Sequence, residues 1–233
     1  MMETVARLGF LLVLMIPGVS WAGSPTVVEL YQSQGCSSCP PAIRNVNAIA
    51  DRPDILALTF AVTYWDRLGW KDTFAKPEFT RRQYDYSHGL HHDNVYTPQV
   101  VIDGRADLVG ADRSELLAAI TRAAPAQGPE ISASGRSISI SASPKAGSAD
   151  IWLVRYDPRV LNVEIGAGEN SGVSIAHRNV VRDLVRLGNW AGTARTYDIP
   201  PGGDPAWRTA ILVQEKDGGP ILSAKRIGEL ASK

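Results

Sequence analysis

The chain changes its hydrophobic rhythm near its middle. In the first half the apolar residues come in nearly unbroken runs, Val27-Val28-Glu29-Leu30-Tyr31 and Ile55-Leu56-Ala57-Leu58-Thr59-Phe60-Ala61-Val62. Runs without polar alternation suit strands covered on both faces by helices. Between them stand two consecutive prolines, Pro40 and Pro41. Proline lacks an N–H and is tolerated in the first turn of a helix, where the N–H groups have no intrahelical partner. The pair therefore predicts a helix that begins near Ser37 or Ser38, with Cys36 at its cap, and runs to about Ala50. A third strand is predicted over Tyr96 to Arg105, with Pro98 at its entry and an Asp103-Gly104 turn at its exit, then a short pairing strand at Asp107 to Gly110. Asp112, with Glu115 three residues on, caps a last helix whose apolar face is Leu116, Leu117, Ile120 and Ala124. Together these predict an α/β domain over residues 23–125.

Pro125-Ala126-Gln127-Gly128-Pro129 reads as a boundary, and beyond it short alternating segments take over. Ser137 to Ser141, Ile151 to Val154, Val173 to Val181, Arg195 to Ile199, Ala210 to Val213 and Ile221 to Ile227 are strand candidates separated by turns. Such regular short strands predict an all-β, sandwich-like C-terminal domain over residues 130–233. The stretch Asn179 to Leu187 is also compatible with a helix. His177, the lone histidine of this half, reads as a structural hydrogen-bonder rather than a ligand.

The first 22 residues are set aside from this account. Arg7, the apolar run Leu8 to Ile16, and Ser20-Trp21-Ala22 with small residues at both cleavage-specifying positions form a secretory signal peptide, with cleavage expected after Ala22. No later run approaches the roughly 18 apolar residues of a spanning helix. The expected destination is the periplasm or the medium, where disulfides form and persist. Lysine plus arginine number 24 against 24 acidic residues, a balance that gives no electrostatic footprint for nucleic acid or an anionic membrane.

The only two cysteines, Cys36 and Cys39, stand three positions apart at the predicted helix start. The positive end of the helix dipole favours a thiolate there. Three chemistries fit the spacing. In reversible thiol–disulfide exchange Cys36, nearer the surface, attacks and Cys39 resolves. In Cu(I) or Zn binding the two sulfurs are joined by His88, His91 or His92. A purely structural disulfide closes so small a loop that it constrains the unfolded chain little. Residues 64–96 hold eight of the 17 aromatics and three of the four histidines. This aromatic insertion, with Pro77 opening a helix that puts Phe79, Gln83 and Tyr86 on one face, is either a satellite core or a pocket wall. In the latter case Tyr64, Trp65 and Trp70 are the candidate substrate-binding residues.

The order of predicted elements resembles the thioredoxin-like fold. That resemblance implies a cis peptide before Pro98, a backbone at Thr97 free to pair with an extended peptide, and a proton-transfer role for an acidic residue near Glu29. More closely, Ser33-Gln34-Gly35-Cys36-Ser37-Ser38-Cys39-Pro40-Pro41-Ala42, Tyr64-Trp65-Asp66, Leu68-Gly69-Trp70-Lys71-Asp72 and Tyr96-Thr97-Pro98-Gln99 resemble the secreted bacterial family DUF1223. The chain departs from that family's usual pattern at Ile43, Ala61 and Thr63, where polar residues are common. The reading taken forward is an exported thiol–disulfide oxidoreductase that needs no cofactor and acts on protein thiols and disulfides or on small thiols. A Cu(I)/Zn metallochaperone and a binding module with a structural disulfide are the alternatives.

Overall fold

The computed structural model describes residues 23–144 and 147–227, so the expected signal peptide lies outside the described residues. The first half runs β1 (Thr26–Gln32), α1 (Cys39–Asn47), β2 (Ile55–Ala61), a 3-10 turn (Asp66–Leu68), α2 (Pro77–Gly89), β3 (Gln99–Ile102), β4 (Ala106–Leu108) and α3 (Arg113–Arg122). The second half is all strand: β5 (Ile131–Ser134), β6 (Ser137–Ile140), β7 (Ala149–Asp157), β8 (Leu161–Glu164), β9 (Ser174–His177), β10 (Val180–Trp190), β11 (Arg195–Asp198), β12 (Arg208–Glu215) and β13 (Ile221–Ile227).

Local chemistry accounts for the helix starts. Pro40 and Pro41 occupy the first turn of α1 and Ser38, rather than Cys36, is its N-cap residue. Pro77 opens α2. The Asp112 carboxylate accepts from the N–H groups of Ser114 and Glu115 and so satisfies two orphan donors of α3. All seven residues of β2 are buried, as an unbroken apolar run requires.

One eight-stranded sheet, in the order β13-β12-β7-β10-β2-β1-β3-β4, runs through both halves. A self-contained sandwich beyond residue 129 is therefore not what forms. β10 docks in parallel on the free edge of β2 through Val180 and Thr59. The junction is reinforced by Thr59 N–H donating to the Asn179 carbonyl at 3.0 Å and by the Asn179 amide donating to the Ala57 carbonyl at 2.9 Å. The stretch Asn179 to Leu187, compatible with a helix by sequence, falls almost wholly in β10, which has β7 and β2 to pair with.

Two faces of this sheet are covered differently. On one, α2 lays Phe79 and Tyr86 over Val27, Tyr31 and Phe60 of the first half and over Val154, Tyr156 and Leu212 of the second, in one continuous core. Gly218, in the β12–β13 turn, has φ +72° and sits so close to the backbone of Asp85 that a Cβ would come within 2.0 Å of its carbonyl oxygen. Only glycine meets both conditions. On the other face α1 and α3 cover Val28, Leu30, Ile55 and Val100, while the three-stranded sheet β11-β6-β5 covers Ile151, Leu153 and Ile211. The two-stranded hairpin β8-β9 buries Ile165 and Ile175 beside α1.

Candidate functional site

Cys36 and Cys39 are joined by a disulfide at the N-terminus of α1. The sequence reading put Cys36 near the surface, yet both cysteines are 0 % exposed, with Ser37 and Ser38 between them exposed. A loop from the far half of the chain is bonded to the segment that carries Cys36. After β8 the loop Gly166-Ala167-Gly168-Glu169-Asn170-Ser171-Gly172 folds over the start of α1. The buried Asn170 side-chain amide donates to the carbonyls of Gln34 (2.8 Å) and Cys36 (2.9 Å). The Glu169 carboxylate accepts from the Ser37 hydroxyl at 2.7 Å and from its N–H at 3.3 Å. A carboxylate there meets the positive end of α1, where anions are favoured. Gly168 has φ +76°, and a Cβ on it would lie 3.2 Å from Cβ of Trp70, so the loop and the Trp70 segment are fitted through a residue with no side chain.

Beside the disulfide runs the segment Tyr96-Thr97-Pro98, whose Thr97–Pro98 peptide is cis. The Thr97 hydroxyl donates to Cys36 Sγ at 3.4 Å and the Ser38 hydroxyl lies equally far from the same sulfur. The aromatic insertion takes up positions around this centre. Trp65 Nε1 donates to Thr97 Oγ1 at 2.7 Å and Trp70 Nε1 to Gln34 Oε1 at 2.9 Å, while the Tyr64 hydroxyl donates to Gln83 Oε1 at 3.2 Å. Burial pushes the Tyr64 hydroxyl up to about 12, so it stays protonated. Each of the three candidate substrate-binding aromatics thus has its polar atom committed within the protein. Phe79 and Tyr86 belong to the main core, not to a satellite.

The loop that carries Cys36 is itself held from below. Asp72, 2 % exposed, accepts from the Gln34 N–H at 2.7 Å and from the Phe74 N–H at 2.8 Å. Burial raises its carboxyl to about 6, against the pull of these two N–H groups. Neither Asp72 nor the pair Glu169 and Asn170 was singled out by sequence. Asp72 lies in the Leu68 to Asp72 phrase, but the loop at 166–172 carries only a turn-like glycine content and sits more than 130 positions from the cysteines.

Glu29 stands apart from this centre. Along β1 the side chains of Val28 and Leu30 face α1 and the cysteines, whereas Val27 and Tyr31 face α2. Glu29 shares the latter face, because successive strand side chains alternate. It is wholly buried there, paired in a fork with Arg82 (Nε to Oε1 2.9 Å, Nη2 to Oε2 3.2 Å) and accepting from the Tyr86 hydroxyl. The sheet stands between Glu29 and the disulfide and its carboxylate is taken up by Arg82 and Tyr86, so the proton-transfer role implied by the resemblance does not fit its position.

The alternative metal set does not assemble either. His92 Nε2 is bonded to Asp107 Oδ1 at 2.9 Å, and His88 and His91 are exposed at the end of α2. Among the described residues no group of three or more His, Cys, Asp or Glu side chains converges to hold an ion. His177, read as a hydrogen-bonder, makes no hydrogen bond. Both ring nitrogens are buried without partners, the ring stands edge-on to Phe74 at 5.6 Å, and burial lowers its pKa to about 4.

Comparison with known proteins bears on the whole of this arrangement. A crystal structure of a protein from Agrobacterium tumefaciens, determined by a structural genomics consortium, superposes with a TM-score of 0.73 at 29% identity, over 92% of this chain and 98% of that one. HBP35 of Porphyromonas gingivalis superposes with a TM-score of 0.54 at 10% identity, over 91% of this chain and 77% of that one, a likeness of fold alone. No curated protein matches the chain. The family model described as "Protein of unknown function (DUF1223)" matches residues 27–214. That span runs from β1 into β12 and takes in both the disulfide and the loop bonded to the start of α1, so the chain belongs to the DUF1223 family.

Proposed function

We propose that the protein is an exported thiol–disulfide exchange protein in which residues 26–122 form a thioredoxin-like unit and Cys36 and Cys39 are the reacting pair. The carrying observation is the setting of Cys36 Sγ: a disulfide sulfur at a helix N-terminus with the Thr97 hydroxyl donating to it at 3.4 Å and the Ser38 hydroxyl, which also donates to the Thr97 carbonyl, at the same distance. A disulfide kept only for stability needs no hydrogen-bond donors on its sulfur. A thiolate does. The order β2-β1-β3-β4 with α1 and α3 on one face supports the thioredoxin-like assignment.

The chemistry is self-contained. With the pair reduced, the Cys36 thiolate attacks one sulfur of a partner disulfide, a bond forms from Cys36 Sγ to that sulfur, and the other partner sulfur leaves as thiolate. Cys39, losing its proton to solvent or to the leaving thiolate, then attacks Cys36 Sγ. The Cys36–Cys39 bond forms, the mixed disulfide breaks, and the partner leaves with two electrons. Run in reverse, the same steps oxidise a partner dithiol. Both need a sulfur that can be approached in line. The 166–172 loop must therefore swing away from α1, which breaks the Asn170 bonds to Gln34 and Cys36.

Trapping tests this reading. Cys39→Ser removes the resolving thiol and should accumulate reductant-sensitive, disulfide-linked partners in the export compartment, whereas Cys36→Ser should accumulate few. Adding Asn170→Ala to Cys39→Ser should raise capture several-fold, since two net hydrogen bonds of about 1 kcal/mol each no longer hold the loop closed. Equal and negligible capture by all three proteins would overturn the proposal.

A further inference from the structure

The hydroxyl that donates to Cys36 Sγ is itself hydrogen-bonded from behind. An indole N–H can only donate, so the 2.7 Å contact from Trp65 Nε1 to Thr97 Oγ1 fixes that oxygen as the acceptor. The Thr97 hydroxyl has one proton, which it gives to Cys36 Sγ at 3.4 Å; the neighbouring Tyr64 oxygen is the other acceptor within its reach, and Trp65 on the far side of the Thr97 oxygen limits how that hydroxyl can turn. Trp65 packs against the cluster that holds both cysteines, but its N–H is given to Thr97 and not to the sulfur. Its ring is half-buried and packs against the cores on both faces of the large sheet, so its N–H has little freedom to turn elsewhere.

We infer that Trp65 is a positioning residue for the exchange reaction: its N–H holds the Thr97 hydroxyl in the one orientation that donates to the Cys36 thiolate. The disulfide sulfur is a weak acceptor and gains little from this donor. A thiolate at the same place makes a charge-assisted bond, roughly twice as strong as a neutral one. The donor thus favours the reduced, ionised state over the disulfide. It lowers the pKa of Cys36 and makes the pair a stronger oxidant, because stabilising the reduced form raises the reduction potential. Trp65, expected from sequence to line a substrate pocket, acts instead through Thr97.

Other titratable groups surround Cys36 and Thr97. Cys39 follows Cys36 at the first position of α1, the Glu169 carboxylate lies on Ser37, Asp72 holds Gln34 two residues upstream, and the Tyr64 hydroxyl, which stays protonated, lies beside Thr97 and donates to Gln83. The two carboxylates, when ionised, oppose a thiolate, and none of these groups is altered by the substitutions below. Differences between variants therefore isolate the Trp65–Thr97 pair.

The test rests on the exchange reading only in taking Cys36 as the attacking sulfur, and it needs no partner. Purified reduced protein is titrated by thiolate absorbance at 240 nm, which reads ionisation regardless of access, alongside equilibration of the pair with glutathione. Trp65→Phe keeps the ring and removes the N–H. It should raise the Cys36 pKa by about one unit, a tenfold fall in thiolate fraction near neutrality. Thr97→Val should give the same shift or a larger one, the two together should give no more than Thr97→Val alone, and Thr97→Ser should restore the wild-type value. An unshifted pKa in Trp65→Phe beside a raised one in Thr97→Val, or shifts that add in the double variant, would overturn the inference. So would a Trp65→Phe shift that Thr97→Val does not reproduce. If the shifts appear but Cys39→Ser traps nothing, the relay stands and the exchange function falls.

Discussion

Replacing Arg82 with Leu should destabilise the protein by about 3–5 kcal/mol, the usual cost of leaving one member of a buried ion pair without its partner. Arg82 and Glu29 are both buried, the fork between them is short, and the guanidinium lies 5.4 Å from the ring of Trp152 on β7 and 5.1 Å from that of Tyr86. Removing it leaves the buried Glu29 carboxylate with the Tyr86 hydroxyl as its remaining side-chain hydrogen-bond donor. Replacing both residues by Leu should be far milder, because the desolvation penalty of each charge disappears with its attraction. Because α2 bridges strands of both halves, the loss should appear in a single urea transition, not in a low-stability phase for one half. Separate transitions, or a loss under about 1 kcal/mol typical of an exposed pair, would contradict this account of the fold. Glu29→Gln carries a second reading: with the sheet between it and the disulfide, it should leave the alkylation rate of reduced Cys36 unchanged.

His177→Phe should remove a large part of the protein's acid sensitivity. The imidazole is 0 % exposed, its nitrogens have no partners, and burial lowers its pKa from the ordinary 6.5 to about 4. The sign follows from linkage. A histidine whose folded pKa is depressed contributes its stability in full above the unfolded pKa and loses it as pH falls toward the folded one. At about 1.4 kcal/mol per unit, the wild-type protein should lose about 3 kcal/mol between pH 6.5 and pH 4 through this residue. Asp72 and Asp103, each raised by burial to about 6, work in the opposite direction: their contribution is present at low pH and lost as pH rises through 6. They are common to both proteins, so the difference between variant and wild type isolates the histidine. Urea midpoints at pH 7.5 and 4.5 provide the check. Phenylalanine should hold its midpoint far better at the lower pH, and a parallel fall in both proteins would show that the ring is hydrated or partnered in solution.

Sequence legibility divides along physical lines. Where a few neighbouring residues decide the backbone, the reading was sound: Pro40-Pro41 and Pro77 set helix starts, Asp112 caps α3, and the Asp103-Gly104 pair turns β3 into β4 with both residues at positive φ. Glu29 was misread because both faces of β1 are buried. Its parity with Val27 and Tyr31 was visible, but an apolar run on both sides does not say which face α1 will cover. The continuity of the sheet rests on a junction as small as Val180 against Thr59, reinforced by one asparagine, and no periodicity announces it. The loop bonded to the start of α1 is harder still. Glu169 and Asn170 belong to a loop whose composition reads as an ordinary turn, and only the fold brings it across more than 130 residues to Cys36. His177 illustrates a different limit, since a strand histidine normally finds a partner and this one is packed against Phe74 without any.

The claim on which the rest depends is that Cys36 and Cys39 exchange electrons with partners, and the reduction potential of the pair measures it most directly. Protein equilibrated across glutathione buffers, quenched with acid and counted for free thiols, should give a midpoint between about −270 and −120 mV, the range spanned by dithiol proteins that turn over. A pair that stays oxidised to below about −300 mV, where structural disulfides of secreted proteins lie, would contradict the account.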